Sequence, residues 1–294
     1  MKKGVVIALC VVLAAAAVGW WVLHDRASGH GDVAPAEVKT PDAAAVAARL
    51  ERNRKHAEEN RQMWREASYI EVRQAAEGGN LVAQRRLSEL YEDCRAFDGA
   101  LRSSLSMLED LSKTDRESQP TIRAFLHDYN RLCTQAAADL RKNPGLALYW
   151  LHKSAKAGDP TSEMRYFGRT VPLLSESQFR YFIEKASTSG DPDALFELSL
   201  LVPKLKGEWS DPTQAQVFKG QQAQFAWAMA ACRAGYDCTR GSRLMNLLCI
   251  TNFACGNASY EEYLIASSTY GAQRKQVDQL VSVINDNLLA PKAK

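Results

Sequence analysis

Four glycines, Gly79, Gly158, Gly190 and Gly235, sit at the same point of one small-residue register, which constrains the fold more than any polar residue in the chain. Four residues before each glycine stand Ala75, Ser154, Ala186 and Ala231; four after stand Ala83, Ser162, Ala194 and Thr239. Seven before stand Val72, Leu151, Ile183 and Ala228, and eight before stand Glu71, Trp150, Phe182 and Trp227. Small residues on both sides of the glycine let two helices approach closely, and the aromatic fills the wider gap toward a neighbour. The phase therefore predicts a pair of antiparallel helices that recurs along the chain.

The clearest unit runs from Pro144 to Gly158. Its Ala147, Trp150, Leu151, Ser154 and Ala155 fall on one helical stripe. Gly158 suits the left-handed position that ends a helix, Asp159 suits the N-cap of the next, and Pro160 suits its first turn. Gly190-Asp191-Pro192 repeats the device. The second helices carry Ala83, Leu87 and Tyr91 in one unit and Ala194, Leu198 and Val202 in another, four-residue steps that share a face. Such a unit cannot bury its own stripe and needs neighbours stacked on it.

The spacing is irregular. Gly158 to Gly190 is 32 residues, Gly190 to Gly235 is 45 and Gly79 to Gly158 is 79. The longest interval accommodates one degenerate unit, with helices near Phe97 to Lys113 and Ser118 to Arg141, and Pro203 to Pro212 reads as an inserted loop. In the last unit Ala223 to Ala234 is expected to be helical, with Ser242 to Ile250 running back against it. Residues 256–294 read as closing helices whose stripe is Val277, Leu280, Val281 and Ile284.

On these residues the chain resembles the Sel-one-like repeat family, a relative of the tetratricopeptide repeat. Ala147, Trp150, Leu151, Ala155, Gly158 and Asp159 carry the resemblance, as do Ala75, Ala76, Gly79, Ala83, Leu87 and Tyr91. Ser187, Thr239 and Arg243 depart from the family's pattern. The resemblance implies an all-α, right-handed α/α solenoid over residues 67–255 and a role in binding another protein. A groove lined by first helices would carry that binding, with Tyr149, His152, Lys156, Arg180 and Lys185 as its exposed candidates.

The N-terminus points outside the cytoplasm. Lys2 and Lys3 precede an uncharged run, residues 4–23, that ends near Trp20 and Trp21. Twenty helical residues span about 30 Å, the thickness of a bilayer core, and tryptophan suits the interface. Residues 1–25 therefore read as a single-pass inner-membrane anchor with the body in the periplasm. The alternative is a signal peptide cleaved near Ala15-Ala16-Ala17, leaving a soluble periplasmic or secreted protein. Residues 26–41 form a linker, and residues 42–66 a charged, solvated helix.

Export changes how cysteines are read. Apart from Cys10, six remain: Cys94, Cys133, Cys232, Cys238, Cys249 and Cys255, an even number that implies disulfides. Antiparallel geometry favours Cys232 with Cys238 and Cys249 with Cys255, each closure worth about 2–2.5 kcal/mol, with about 4 kcal/mol for a Cys94–Cys133 loop.

Catalytic and cofactor signals are weak. The five histidines, His24, His30, His56, His127 and His152, form no zinc-hydrolase spacing, and no phosphate loop or nucleophile elbow occurs. Glu58-Glu59 and Glu261-Glu262 are sequence neighbours, not acids facing across a cleft. No metal or other cofactor is expected. Charge is nearly balanced, 37 basic against 34 acidic residues, which lacks the footprint of nucleic-acid binding. The expected function is a scaffold or adaptor for another protein. The alternatives are an enzyme acting on envelope polymers and a periplasmic inhibitor or immunity protein for a secreted toxin.

Overall fold

The computed structural model describes residues 67–285 except 99–101, 117, 208, 211–214 and 267–272, together with the single positions 48, 51, 55, 58 and 59. The expected anchor at 1–25 and the linker at 26–41 lie outside the described residues. Of the expected charged helix, the five described positions are helical and exposed. Among the described residues no helix is long and apolar enough to cross a membrane.

The fold is all-helical. Among the described residues twelve α-helices follow in order: α1 (Tyr69–Glu77), α2 (Leu81–Asp98), α3 (Arg102–Thr114), α4 (Gln119–Lys142), α5 (Leu146–Lys156), α6 (Pro160–Thr170), α7 (Glu176–Ser189), α8 (Pro192–Leu201), α9 (Gly220–Arg233), α10 (Arg243–Asn252), α11 (Tyr260–Ala266) and α12 (Arg274–Val283). They belong to one compact unit, residues 42–293.

All four register glycines turn the chain through the left-handed region, with φ of 94°, 99°, 66° and 106° in chain order. At the two Gly-Asp-Pro turns the aspartate caps the following helix. Asp159 accepts from the Ser162 N–H at 2.7 Å and Asp191 from the Asp193 N–H at 3.0 Å. Both prolines fill the first turn, where their missing N–H costs nothing. At the first turn Asn80 takes the capping role, accepting from the Ala83 N–H at 2.9 Å.

The register buries what it was expected to bury. Trp150, Phe182 and Trp227 are all in the core, as are Val72, Leu151, Ile183 and Ala228 one position later. Where two units would place alanine against alanine, the Gly158 unit has Ser154 and Ser162. Their hydroxyls bond each other at 3.0 Å, and Ser154 also donates to the Leu81 carbonyl, so no buried hydroxyl is orphaned. The Trp227 indole is satisfied likewise, donating to the Val217 carbonyl at 2.9 Å.

Helix neighbours follow from these turns. α1 pairs with α2, α5 with α6 and α7 with α8; α2 packs directly on α5, α6 on α8, and α8 on α9. The α3–α4 hairpin falls where the degenerate unit was expected, but it does not stand between its neighbours. Because α2 reaches α5 directly, the hairpin is pushed aside, and α4 lies along α2. The Cys94–Cys133 pair, with Cα atoms 5.2 Å apart, ties α4 there. The closing helices also form. Val277, Leu280, Val281 and Ile284 are buried, and α12 packs on α9.

The last unit departs from expectation. α9 ends, Gly235 turns, and α10 begins at Arg243 after the Ser242 cap, where the returning segment was expected, but it packs against α3 instead of returning along α9. Thr239 and Arg243 occupy the positions where alanine and leucine would knit a second helix to the first. Without them the segment after Gly235 stays extended, pairing Thr239 with Ser259 in an isolated bridge. α10 then joins two cores. Met245 belongs to the large core built from α6 to α12, while Cys249 and Ile250 pack with Leu108, Ile122 and Phe125 of the α3–α4 hairpin.

A Cβ at Gly158 would meet nothing within 4 Å, so only its backbone conformation argues for glycine. Gly158→Ala is expected to destabilise the protein by about 1–2 kcal/mol, read as a lower denaturation midpoint with an unchanged slope.

Candidate functional site

The second helices are buried on two faces. One carries the small-residue register. The other carries charge, arranged as rungs that cross α2, α6 and α8. On α2, Arg85, Glu89 and Glu92 lie three and four residues apart and so share a face. Arg165 and Arg169 do the same on α6, and Asp193 and Glu197 on α8.

The first rung gathers both Gly-Asp-Pro turns on one guanidinium. Arg85 lies 3.4 Å from Asp159, 2.9 Å from Asp191 and 3.2 Å from Asp193, and Thr161 also donates to Asp191 at 2.9 Å. In the second rung Arg165 donates to Glu89 at 2.6 Å and, through Nε, to Glu197 at 2.8 Å. The third pairs Arg169 with Glu92. From later in the chain, Arg243 of α10 grips Asp93 with two bonds of 2.9 and 2.7 Å, a fork that holds α10 on α2.

Burial by itself would destabilise these charges. For Glu89 it pushes the carboxyl upward, but attraction to Arg165, then Arg243, Arg86 and Arg85, prevails and holds it well below the ordinary carboxylate range. Asp191 is likewise pushed up by burial and drawn down further by Arg85, its hydrogen bonds and Thr161. Burial opposes the charge on Arg85 and Arg165 too, and their carboxylates overcome it, raising both guanidiniums well above their usual value. A carboxylate held ionised in this way serves as the partner of the guanidiniums around it.

α4 and α10 close over this face and leave a cavity of about 190 Å³. Its floor is the charged side of α2, with Arg165 and Asp193 from α6 and α8; its walls are apolar, from Tyr129 and Leu132 of α4 to Leu247 and Ile250 of α10. Tyr236 forms part of the lining and stacks on Phe196 with ring centres 4.1 Å apart.

None of the five groove candidates lines this cavity. Tyr149, His152 and Lys156 are exposed on α5, and His152 packs on Tyr166 at 4.8 Å between ring centres. Arg180 is half-buried on α7, bonding Glu176 at 2.7 Å and lying 4.5 Å above the Trp209 ring. Lys185, also half-buried, pairs with Glu163 and donates to the Tyr181 hydroxyl at 3.3 Å. Tyr149 nonetheless has counterparts. Nine residues before three of the four register glycines stand Ile70, Tyr149 and Tyr181, and their exposures are 51%, 54% and 50%.

The six candidate cysteines form three pairs at disulfide distance: Cys94–Cys133, Cys232–Cys238 and Cys249–Cys255, with Cα separations of 5.2, 5.6 and 4.3 Å. Two of the pairs frame the cavity, since Cys133 lines it and Cys249 precedes Ile250 in its wall. Among the described residues no group of three or more side chains is placed to hold a metal ion.

The rungs escaped sequence reading, although a signal was present. Asp159 and Asp191 follow their glycines by one residue, and Arg165 and Glu197 follow theirs by seven. A charge of either sign recurring at one register position marks a face that meets other helices of the same chain. Comparisons with family models, curated proteins and solved structures find no match to this chain.

Arg165→Met would leave Glu89 and Glu197 buried without their donor and is expected to cost about 3–5 kcal/mol. Replacing the two glutamates by leucine in the same variant should recover most of that loss. Acid provides an independent check. Glu89 and Asp191 start from ordinary values of 4.5 and 3.8 and are lowered on folding. Their contribution is therefore complete above those values and is lost as pH falls below them. Denaturation curves should show wild-type stability declining below about pH 4.5, and less steeply in the triple variant.

Proposed function

We propose that this chain is a membrane-tethered, extracytoplasmic protein of the Sel-one-like kind, whose helix pairs build a right-handed α/α solenoid that binds another protein as a scaffold or adaptor. The observation that carries this reading is the repeated exposure at one register position. Ile70, Tyr149 and Tyr181 occupy equivalent places on three first helices, and each leaves about half of a large apolar side chain in solvent. A protein partner gains most from a few tyrosines of this kind. Lys153 stands four residues after Tyr149, one helical turn along the same face, and adds a positive charge beside it.

Location rests on the cysteines and the N-terminus. Three cysteine pairs at bonding distance fit an oxidising compartment. Residues 4–23 supply the inner-membrane tether, and the linker holds the helical body away from the surface. In this reading the body faces the periplasm.

Pull-down from envelope extracts with the full-length protein should recover a saturable partner. A Tyr149→Ala, Tyr181→Ala variant should reduce that recovery at least about tenfold while its thermal midpoint stays at the wild-type value. Recovery unaffected by the double variant, or no saturable partner at all, would overturn the adaptor reading. Intact mass of the exported protein, before and after thiol alkylation, should give the whole chain with one alkylated thiol at Cys10. A chain shortened to about Ala17 would replace the tether by a cleaved signal.

A further inference from the structure

Three first helices expose an apolar residue at one register position, and they differ in how the charges beside it are satisfied. On α1, beside Ile70, Arg73 bonds Glu77 at 2.8 Å and Asp139 at 2.7 Å, and Glu71 accepts from the Ser68 N–H and hydroxyl, both at 2.7 Å. On α7, beside Tyr181, Arg180 bonds Glu176 at 2.7 Å and Lys185 pairs with Glu163, whose other oxygen accepts from the Tyr181 hydroxyl at 3.0 Å. On both helices the basic side chains are answered from within the chain.

The face of α5 is not. From Leu146 to Lys156 it holds His152, Lys153 and Lys156 and no acidic residue, and Arg141 and Lys142, exposed at the end of α4, precede it by a short turn. Arg141, Lys142, Lys153 and Lys156 together exceed the net charge of +3 of the entire chain, so the remainder is on balance acidic. Among the described residues neither Lys153 nor Lys156 has an ion-pair partner. Lys153 leans over the Trp150 ring instead, 4.7 Å from its centre. Leu148, Tyr149, His152, Lys153 and Lys156 fall within an arc of about 140° around the helix, opposite the buried Ala147, Trp150, Leu151 and Ser154. Two unanswered cations therefore share a surface with a leucine and a tyrosine that are 45% and 54% exposed.

We infer that this face of α5 binds an acidic, extended segment of a partner protein, its carboxylates on Lys153 and Lys156 and an apolar side chain against Leu148 and Tyr149. The inference rests on the adaptor reading and gives the partner a chemistry at this helix. Leu148 to Lys156 covers about 12 Å of helix, the length of about four extended residues. Charge complementarity selects the sign, since an acidic segment steers toward the one first helix whose cations are open and gains nothing comparable on α1 or α7. An anionic lipid surface suits the face less well. A helix lying in a membrane interface turns its apolar side to the lipid, and that side of α5 is turned into the core.

Fluorescence anisotropy on the full-length protein in phosphatidylcholine nanodiscs tests it with two labelled, amide-capped peptides, Asp-Glu-Leu-Asp-Glu and its neutral isostere Asn-Gln-Leu-Asn-Gln. At roughly 20 mM salt, where screening is weak, the acidic peptide should saturate below about 1 mM, and the neutral one should bind at least about tenfold more weakly. The variant Lys153→Gln, Lys156→Gln should weaken the acidic peptide at least about fivefold with the thermal midpoint unchanged. Removing two exposed lysines elsewhere, by Lys219→Gln and Lys275→Gln, should leave its affinity as it was. Should the change at Lys153 lower the midpoint through its contact with Trp150, Lys156→Gln alone carries the test, with a weakening of at least about twofold. Failure to saturate, equal binding of the two peptides, or equal weakening in the distant lysine variant would overturn the inference.

Nanodiscs in which about a third of the lipid is phosphatidylglycerol provide the lipid arm. Lys156 should react with acetic anhydride as fast there as in neutral discs; protection of Lys156 but not of Lys275 would place the face on lipid and overturn the acidic segment. The envelope pull-down, repeated with Lys153→Gln, Lys156→Gln, should lose recovery. Recovery kept in that variant but lost in Tyr149→Ala, Tyr181→Ala would leave the adaptor reading standing and overturn this one.

Discussion

One buried guanidinium sets the geometry of this fold. Arg85 has a side chain only 6% exposed, and it lies within ion-pair reach of three aspartates contributed by two different turns. Removing one partner of a buried charge costs several kcal/mol, whereas the intact arrangement adds little over an apolar substitute of similar volume. Its value is therefore positional. Any slippage of α6 or α8 along α2 would strand Arg85 or one of its aspartates, so the cluster penalises wrong registers more than it rewards the right one. Apolar packing supplies the larger attractive term, through Trp227, Phe179, Phe182 and their neighbours, but that term is tolerant of small shifts.

Local chemistry was legible in the sequence and long-range pairing was not. The glycine turns, the aspartate caps, the proline starts and the buried aromatics all depend on residues within eight positions of one another, and each appears where the pattern placed it. The cysteine couples were legible for the same reason, since six residues of separation limit where a helix end can go. The rungs join residues 32 to 108 positions apart, such as Arg165 with Glu197 and Arg85 with Asp193. Taken one helix at a time, Arg85-Glu89 or Asp193-Glu197 looks like an ordinary solvated face, because amphipathic spacing is the same whether water or another helix lies opposite.

The last unit shows where periodicity misleads. Gly235 keeps its phase and its positive φ, yet the helix that follows, though it starts where it was expected, is redirected. Repeat logic extrapolates from neighbours, and it has no means of weighing a salt bridge to a residue 150 positions away, such as Arg243 with Asp93. The cavity was invisible for the same reason, since it exists only because an insertion between the first two units meets the end of the last.

That meeting has a consequence for how such a chain can change over time. Tandem arrays ordinarily lengthen or shorten by duplicating or deleting a unit, because each contacts only its nearest neighbours. Here α10 spans from the final pair back to α2 and α3, so an extra pair, adding about 10 Å between helix axes, would pull Arg243 away from Asp93 and open the Cys249–Ile250 contact with Phe125. A chain tied from α10 back to α2 and α3 in this way cannot take in a further helix pair without losing these contacts, and is left to vary by side-chain replacement at the surface.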